Sequence, residues 1–194
     1  MNKLLIVVCG LPGTGKTEAS KKLAEHLHNF HYISQNDIRR EFGMRRMPKD
    51  QDEVLREIDM RTVQCLMANE GVIFDSVNRY LFRRQQMYGI ASCSNARVIT
   101  LEMVCPENVA KERMLHRPPG DGLVSDSRDP RIYDKLKLEW EDLMMDFKHP
   151  GVNHVSYIQY DSHHHTMRRV VKRPGMAKFV TQIKNILTEK TSTT

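Results

Sequence analysis

The stretch Gly10-Leu11-Pro12-Gly13-Thr14-Gly15-Lys16-Thr17, GLPGTGKT, decides how the rest of the chain is read. It satisfies the pattern G-x-x-x-x-G-K-[ST] in full. The apolar run LLIVV precedes it and the helix former EASKKLAEHL follows it, the strand-then-helix setting that gives the pattern meaning. The physical reason is local. Glycines let the backbone turn successive N–H groups inward around phosphate oxygens, and the N-terminus of the following helix adds partial positive charge. Lys16 adds a full charge, and the Thr17 hydroxyl is suited to Mg²⁺. Gly10, Pro12, Gly13, Thr14, Gly15, Lys16 and Thr17 are therefore the expected nucleotide contacts.

Outward from this loop, apolar runs rich in Val and Ile recur at Leu4–Val8, Val72–Phe74, Val98–Val104 and Val155–Ile158, with a weaker one at Tyr32 and Ile33. Between them apolar residues fall at helical spacing: Ala19, Leu23 and Leu27; Leu55, Ile58, Val63, Leu66 and Met67; Val109 and Leu115 after Pro106 and Glu107. A closing helix is expected from about Pro174 to Lys190, with Phe179, Ile183, Ile186 and Leu187 inward. Alternating strands and helices predict an α/β fold with a parallel sheet covered on both faces, because parallel strands need crossover connections. Two segments interrupt the alternation: Pro118–Pro130, dense in Gly, Pro, Asp and Ser, and the polar, basic Asp161–Pro174. Both read as mobile loops.

With 194 residues, 40% of them hydrophobic, the chain is long enough for one core, so a single domain over 1–194 is expected. A formal charge of +6 favours an anionic partner. Cys9, Cys65, Cys93 and Cys105 have no paired-ligand spacing, so neither a disulfide framework nor a zinc site is expected, and a reducing compartment fits. The apolar N-terminal run is too short for a signal or a membrane span. A cytoplasmic protein without membrane contact is the resulting expectation.

A phosphate cradle works with a second acid at another strand end. GVIFDS supplies Asp75, which would orient the metal, although a strand-ending Asp also serves as a plain turn cap. Ser76 follows it where many motor-type ATPases carry a water-activating Glu, and no N-K-x-D stretch appears. Hydrolytic machines and GTPase switches lose weight, and transfer to a substrate hydroxyl gains it.

Taken in order, GLPGTGKT, SQNDIRREFG, VIFDSVNRYLFRR, and ENVAKERMLHR leading into YDKLKLEWEDL resemble the small P-loop kinases related to polynucleotide kinase and zeta-toxin kinases, often described as AAA-domain ATP-binding proteins. The resemblance extends to about Phe147. It implies a three-layer P-loop fold with a five-stranded parallel sheet, ATP and Mg²⁺ as cofactors, and a mobile lid over about 113–132. It also implies nucleotide-contacting lid arginines at Arg113 and Arg117, whose spacing would put both on one helix face. Arg117 is the expected stabiliser of charge in the transition state. A solvated basic helix end is the plainer account of both.

On the acceptor side the resemblance implies an Asp three residues before an Arg, acting as base. Counting back from Arg39, this chain has Asn36 there and Asp37 beside it, and an amide cannot take a proton. Three alternatives stand: Asp37 acts from a shifted backbone, transfer proceeds with little general-base help, or ATP binds without efficient transfer; Asp37 is the expected catalytic base. Asp37 also suits a helix N-cap. Asp37, Arg39 and Asn78 are the expected acceptor contacts. Arg39, Arg40, Arg45, Arg46 and Lys49 suggest an anionic acceptor, either a nucleic acid 5′ end or a small phosphorylated molecule, unless they form a solvated surface. The resemblance implies that a second basic cluster, Arg168, Arg169, Lys172 and Arg173, borders the adenine, with solvated side chains as the equal alternative. The adjacent His163, His164 and His165 are poorly placed to converge on one metal ion.

Overall fold

A computed structural model of the chain describes residues 3–43, 48–118, 128–149 and 152–189. Strand β1 (Leu4–Cys9) lies near the middle of the sheet and is buried along its whole length. Its alternating side chains feed two separate cores. Leu5, Val7 and Cys9 pack with Ile38, Val54, Ile58, Leu66 and Met87 on one face. Leu4, Ile6 and Val8 pack with Ala19, Leu23, Ile183 and Leu187 on the other. A strand apolar at every position, rather than at alternate ones, is what a sheet covered on both sides requires.

The remaining elements follow the predicted alternation. Helix α1 (Lys16–His26) leads to β2 (Phe30–Ser34), α2 (Gln35–Glu41), α3 (Pro48–Met67) and β3 (Gly71–Asp75). Then come α4 (Leu81–Cys93), β4 (Arg97–Val104), α5 (Glu107–Leu115), α6 (Pro130–Leu138) and a 3₁₀ turn over Leu143–Lys148. The chain continues through β5 (Val155–Asp161), β6 (Thr166–Val171) and α7 (Ala177–Thr188). Strand order is β2-β3-β1-β4-β5-β6. Through β5 every pairing is parallel, as in Val8 opposite Asp75 and Ser34 opposite Asp75. These registers bring the C-terminal ends of β1, β2 and β3 to one edge, where ligands of open α/β sheets bind.

Two expectations need correction. Among the described residues the sheet has six strands, and Asp161–Pro174 is no loop, since Thr166–Val171 pairs antiparallel with β5. This edge strand escapes a periodicity search because Thr166, Arg168, Arg169 and Val170 are all exposed. Charged side chains on an outer strand also deter pairing with another chain. His163 and His164 sit in the connecting turn, where both backbone N–H groups donate to Asp161 Oδ1 at 2.8 and 3.1 Å. They close a hairpin. Helix α4 has no clear apolar period because Arg83 and Arg84 occupy buried positions on it.

Candidate functional site: a phosphate loop and an arginine-lined cleft

Directly after β1 the chain turns through Gly10 (φ 147°), Gly13 (φ 81°) and Gly15 (φ 81°), conformations closed to most L-residues. Space is equally demanding. A Cβ at Gly13 would stand 2.2 Å from the Ala110 carbonyl oxygen, and one at Gly10 would stand 2.6 Å from that of Met103. The loop tightens on itself through Thr14 Oγ1, which donates to the Leu11 carbonyl at 2.8 Å. Lys16 Nζ donates to the same oxygen at 2.8 Å. Burial pushes the Lys16 ammonium down to about 8, Asp75 works against that fall, and nearby Arg117 adds to it. A cation held at such cost is ready for a polyanion.

At the strand ends Thr17 Oγ1 donates to Asp75 Oδ2 at 2.7 Å. Tyr32 Oη, from β2, donates to the same oxygen at 3.0 Å. A hydroxyl and a carboxylate this close form a hard oxygen pair of the kind Mg²⁺ takes, with water and phosphate completing its shell, so the donor set fits that ion.

From this corner a cleft of about 530 Å³ opens. Pro12, Lys16, Thr17, Asp75, Asn78, Arg39 and Arg117 line it, so the structure brings those expected residues together. Arg113 is elsewhere. Helix α5 ends at Leu115, so the single-face argument for the two arginines lapses. Arg117 turns to the cleft, while Arg113 reaches behind the loop, donating to Ser162 Oγ at 2.9 Å and Gly13 O at 3.4 Å. Residues 119–127 of the expected lid lie outside the described residues, as do Arg45 and Arg46.

Asp37 also needs correction. It does not line the cleft; its carboxylate pairs with Arg40 Nη1 at 2.6 Å and borders a different depression with His31 and Arg61. One residue along a helix turns the side chain by about 100°. Asn36 and Arg39, three apart, therefore share the cleft face, and Asp37 with Arg40 share the other. Nor is Asp37 the N-cap, because Ser34 fills that place and accepts from the Asp37 N–H at 3.3 Å.

Several lining residues were not anticipated: Gln51, Asp52, Arg79, Tyr80, Phe82 and Arg83. Asp52 and Asp75 are the two carboxylates among the described lining residues. Arg83 is 6% exposed. Its Nη1 donates to Asp59 at 2.7 Å, while Nε and Nη2 bond to nothing among the described residues. The dipeptide Arg83-Arg84, soon after Asp75, was the available signal, but sequence cannot say that the two diverge. Arg84 turns inward and uses every donor, on Asp146 (2.7 Å twice) and on the carbonyls of Asn78, Arg79 and Glu141. Asn78 Nδ2 donates to the Val8 carbonyl at 2.7 Å, so this wall of the cleft is tied to β1.

The chain compares with known proteins as follows. A family profile described as "AAA domain" matches residues 5–127. No curated protein matches the chain. Among solved structures it resembles a protein from Chloroflexus aurantiacus assigned as a kinase (TM-score 0.66, 19% identity, 94% of this chain and 98% of that one). A gluconokinase from Sinorhizobium meliloti gives a TM-score of 0.53 at 19% identity over 94% of this chain and 90% of its own. Chaetomium thermophilum Kti12 in complex with ADP-AlF3 gives 0.53 at 25% identity over 71% and 80%. The mostly parallel sheet with helices on both faces is the fold these kinases share. From its glycine-rich loop, its sheet and the profile match over residues 5–127, the chain belongs to the AAA-domain family, with the architecture of small P-loop kinases.

Proposed function

We propose that the protein is an ATP-dependent phosphotransferase that moves the γ-phosphoryl group of ATP onto a hydroxyl of an anionic acceptor. One observation carries this reading: the Lys16, Thr17 and Asp75 corner opens into the same cleft as Arg39, Arg79, Arg83 and Arg117. A phosphate end and a cationic acceptor end in one cavity suit transfer between two anions. The loop amides and Lys16 hold the triphosphate, and Thr17 and Asp75 hold Mg²⁺, which when bound neutralises charge on the phosphate oxygens. Arg117, which lines the cleft close enough to Lys16 to lower its affinity for a proton, would add positive charge to the transferring group. Arg113, beside Gly13 and Ser162, borders the loop from outside, where it would meet the nucleotide rather than the acceptor.

With Asp37 turned away, Asp52 is the acceptor-side carboxylate. A loose phosphoryl-transfer transition state asks little of a base, so an exposed aspartate suffices. A cleft of about 530 Å³ is of the size that takes small ligands. That favours a compact acceptor, a hydroxy acid or a sugar phosphate, over a polynucleotide end.

The test is a screen with Mg²⁺, labelled ATP and two acceptor pools, small hydroxylated anions and 5′-hydroxyl oligonucleotides. Label should enter the first pool, with weak dependence on salt. Steep salt dependence and label in the second would identify a nucleic acid acceptor, because each neutralised backbone phosphate releases counterions. Asn36, facing the cleft where a base is expected, favours a second reading: an ATP-binding regulatory module without transfer. Tight ATP binding with no labelled product from either pool would establish that one.

A further inference from the structure

On the far side of α2 from the cleft, three side chains of metal-ligating type converge. One ligand atom each from His31, Cys65 and Glu70 lies within 4.8 Å of the others, and His31 Nε2 is 2.7 Å from Glu70 Oε2. We propose that His31, Cys65 and Glu70 form a transition-metal site that takes Zn²⁺ or a similar borderline-soft divalent cation.

The backbone fixes this arrangement before any ion arrives. Helix α3 ends in a left-handed Asn69 (φ 63°), with Glu70 N–H bonded to the Cys65 carbonyl at 3.0 Å and Asn69 N–H to that of Leu66 at 3.2 Å. This is the Schellman closure, which brings the residue after the left-handed one against the residue five before it. Cys65 and Glu70 are thus neighbours by construction. The third ligand comes from the adjacent strand: β2 pairs with β3 so that His31 stands opposite Val72, two residues beyond Glu70. An ion here would staple the edge strand to the end of α3.

Thiolate, imidazole and carboxylate are the donor set of zinc and its first-row relatives rather than of Mg²⁺. Bond lengths of zinc to these donors imply ligand atoms about 3.3–3.6 Å apart in a tetrahedron. Reaching that spacing needs His31 and Glu70, now 2.7 Å apart, to open slightly, with Cys65 already within 4.8 Å of both. Side-chain exposures of 49% for His31 and 32% for Glu70 leave room for both movements. The Cys65 thiol gives its proton to solvent as the sulfur–metal bond forms. Thiolate and Glu70 then balance the two charges of the ion. Arg61, which lines the same depression of about 350 Å³ as His31 and Cys65, does not oppose this, because Glu41 and Glu57 hold it at 2.5 and 2.6 Å. Three protein ligands leave a position for water.

Co²⁺ is the probe, added to the whole protein in saturating Mg²⁺ so that hard oxygen sites are already filled. One equivalent per chain should produce a near-ultraviolet thiolate-to-cobalt absorption, which Zn²⁺ then abolishes by displacement. Cys65→Ser should lose the band, His31→Ala and Glu70→Gln should each weaken binding at least tenfold, and Cys93→Ser should keep it. Absence of the band, or a band that survives Cys65→Ser, overturns the site. All four substitutions lie outside the cleft, so their outcome is independent of the phosphotransferase reading.

Discussion

Lys16 shows the tension between site and stability in a single side chain. The unfolded chain keeps that proton to about 10.5 and the folded one only to about 8. Between those values the unfolded state binds more protons, so stability rises with pH there, and at neutral pH the folded state carries the cost of a buried charge. Lys16→Met should stabilise the free protein by about 1–3 kcal/mol in chemical denaturation at pH 7. The same variant should lose nucleotide-induced stabilisation and transfer. A destabilised Lys16→Met protein would show that the ammonium is already compensated by the loop.

Asp52 and Asp37 give the second test at this scale. Because a loose transition state asks little of its base, Asp52→Asn should lower kcat by only about tenfold, with little change in the KM for ATP. Asp37→Asn should leave steady-state rates within about twofold, because the Asp37–Arg40 pair is exposed and outside the cleft. Reversal of that order in side-by-side kinetics would return the base to Asp37.

At the scale of elements, the cleft wall depends on a buried ion pair. Arg84 of α4 and Asp146 of the 3₁₀ turn are both fully buried, and Tyr88 Oη adds a bond to Asp146 at 2.9 Å. Removing one partner leaves an uncompensated charge in the interior, so Asp146→Ala should cost about 3–5 kcal/mol in urea unfolding. The β5–β6 hairpin carries a pH-dependent counterpart. Burial alone would raise the Asp161 carboxyl, but bonds from His164, from the N–H groups of His163 and His164, and from Arg168 hold it down to about 2. Its contribution is therefore present above the unfolded value of 3.8 and lost as pH falls through 3.8 toward 2. Asp161→Asn should flatten that part of the acid-unfolding curve, followed by circular dichroism.

For the whole molecule, a ligand that binds the folded chain alone adds stability by mass action. Mg²⁺-ATP at about a hundred times its Kd should add about 2.7 kcal/mol, or roughly 5–10 °C in Tm for a chain of this size. Thermal melts of the native protein and Asp75→Asn, with and without Mg²⁺, check it: the native shift should be Mg²⁺-dependent and the variant's much smaller. Among the described residues no helix is long and apolar enough to cross a membrane.

How much of this was legible beforehand follows from the range over which each signal acts. The phosphate loop, its strand and its helix are contiguous, and their backbone demands are met by residues next to one another, so the sequence by itself determined them. The parallel core strands declared themselves too, since burial on both faces leaves an apolar run. Tertiary structure alone decided the rest. Which of Asn36 and Asp37 enters the cleft depends on the rotation of one short helix, a difference of a single residue in its phase. Arg83 and Arg84 are chemically identical in sequence, and only the packing of α4 against the 3₁₀ turn sends one to the cleft and the other to Asp146. The charged strand β6 is specified by its pairing with β5 rather than by its own residues. His31, likewise, meets Cys65 and Glu70 only because two strands far apart in the chain lie side by side. Local backbone geometry is written in neighbouring residues, whereas the meeting of distant side chains is set by register and helix phase.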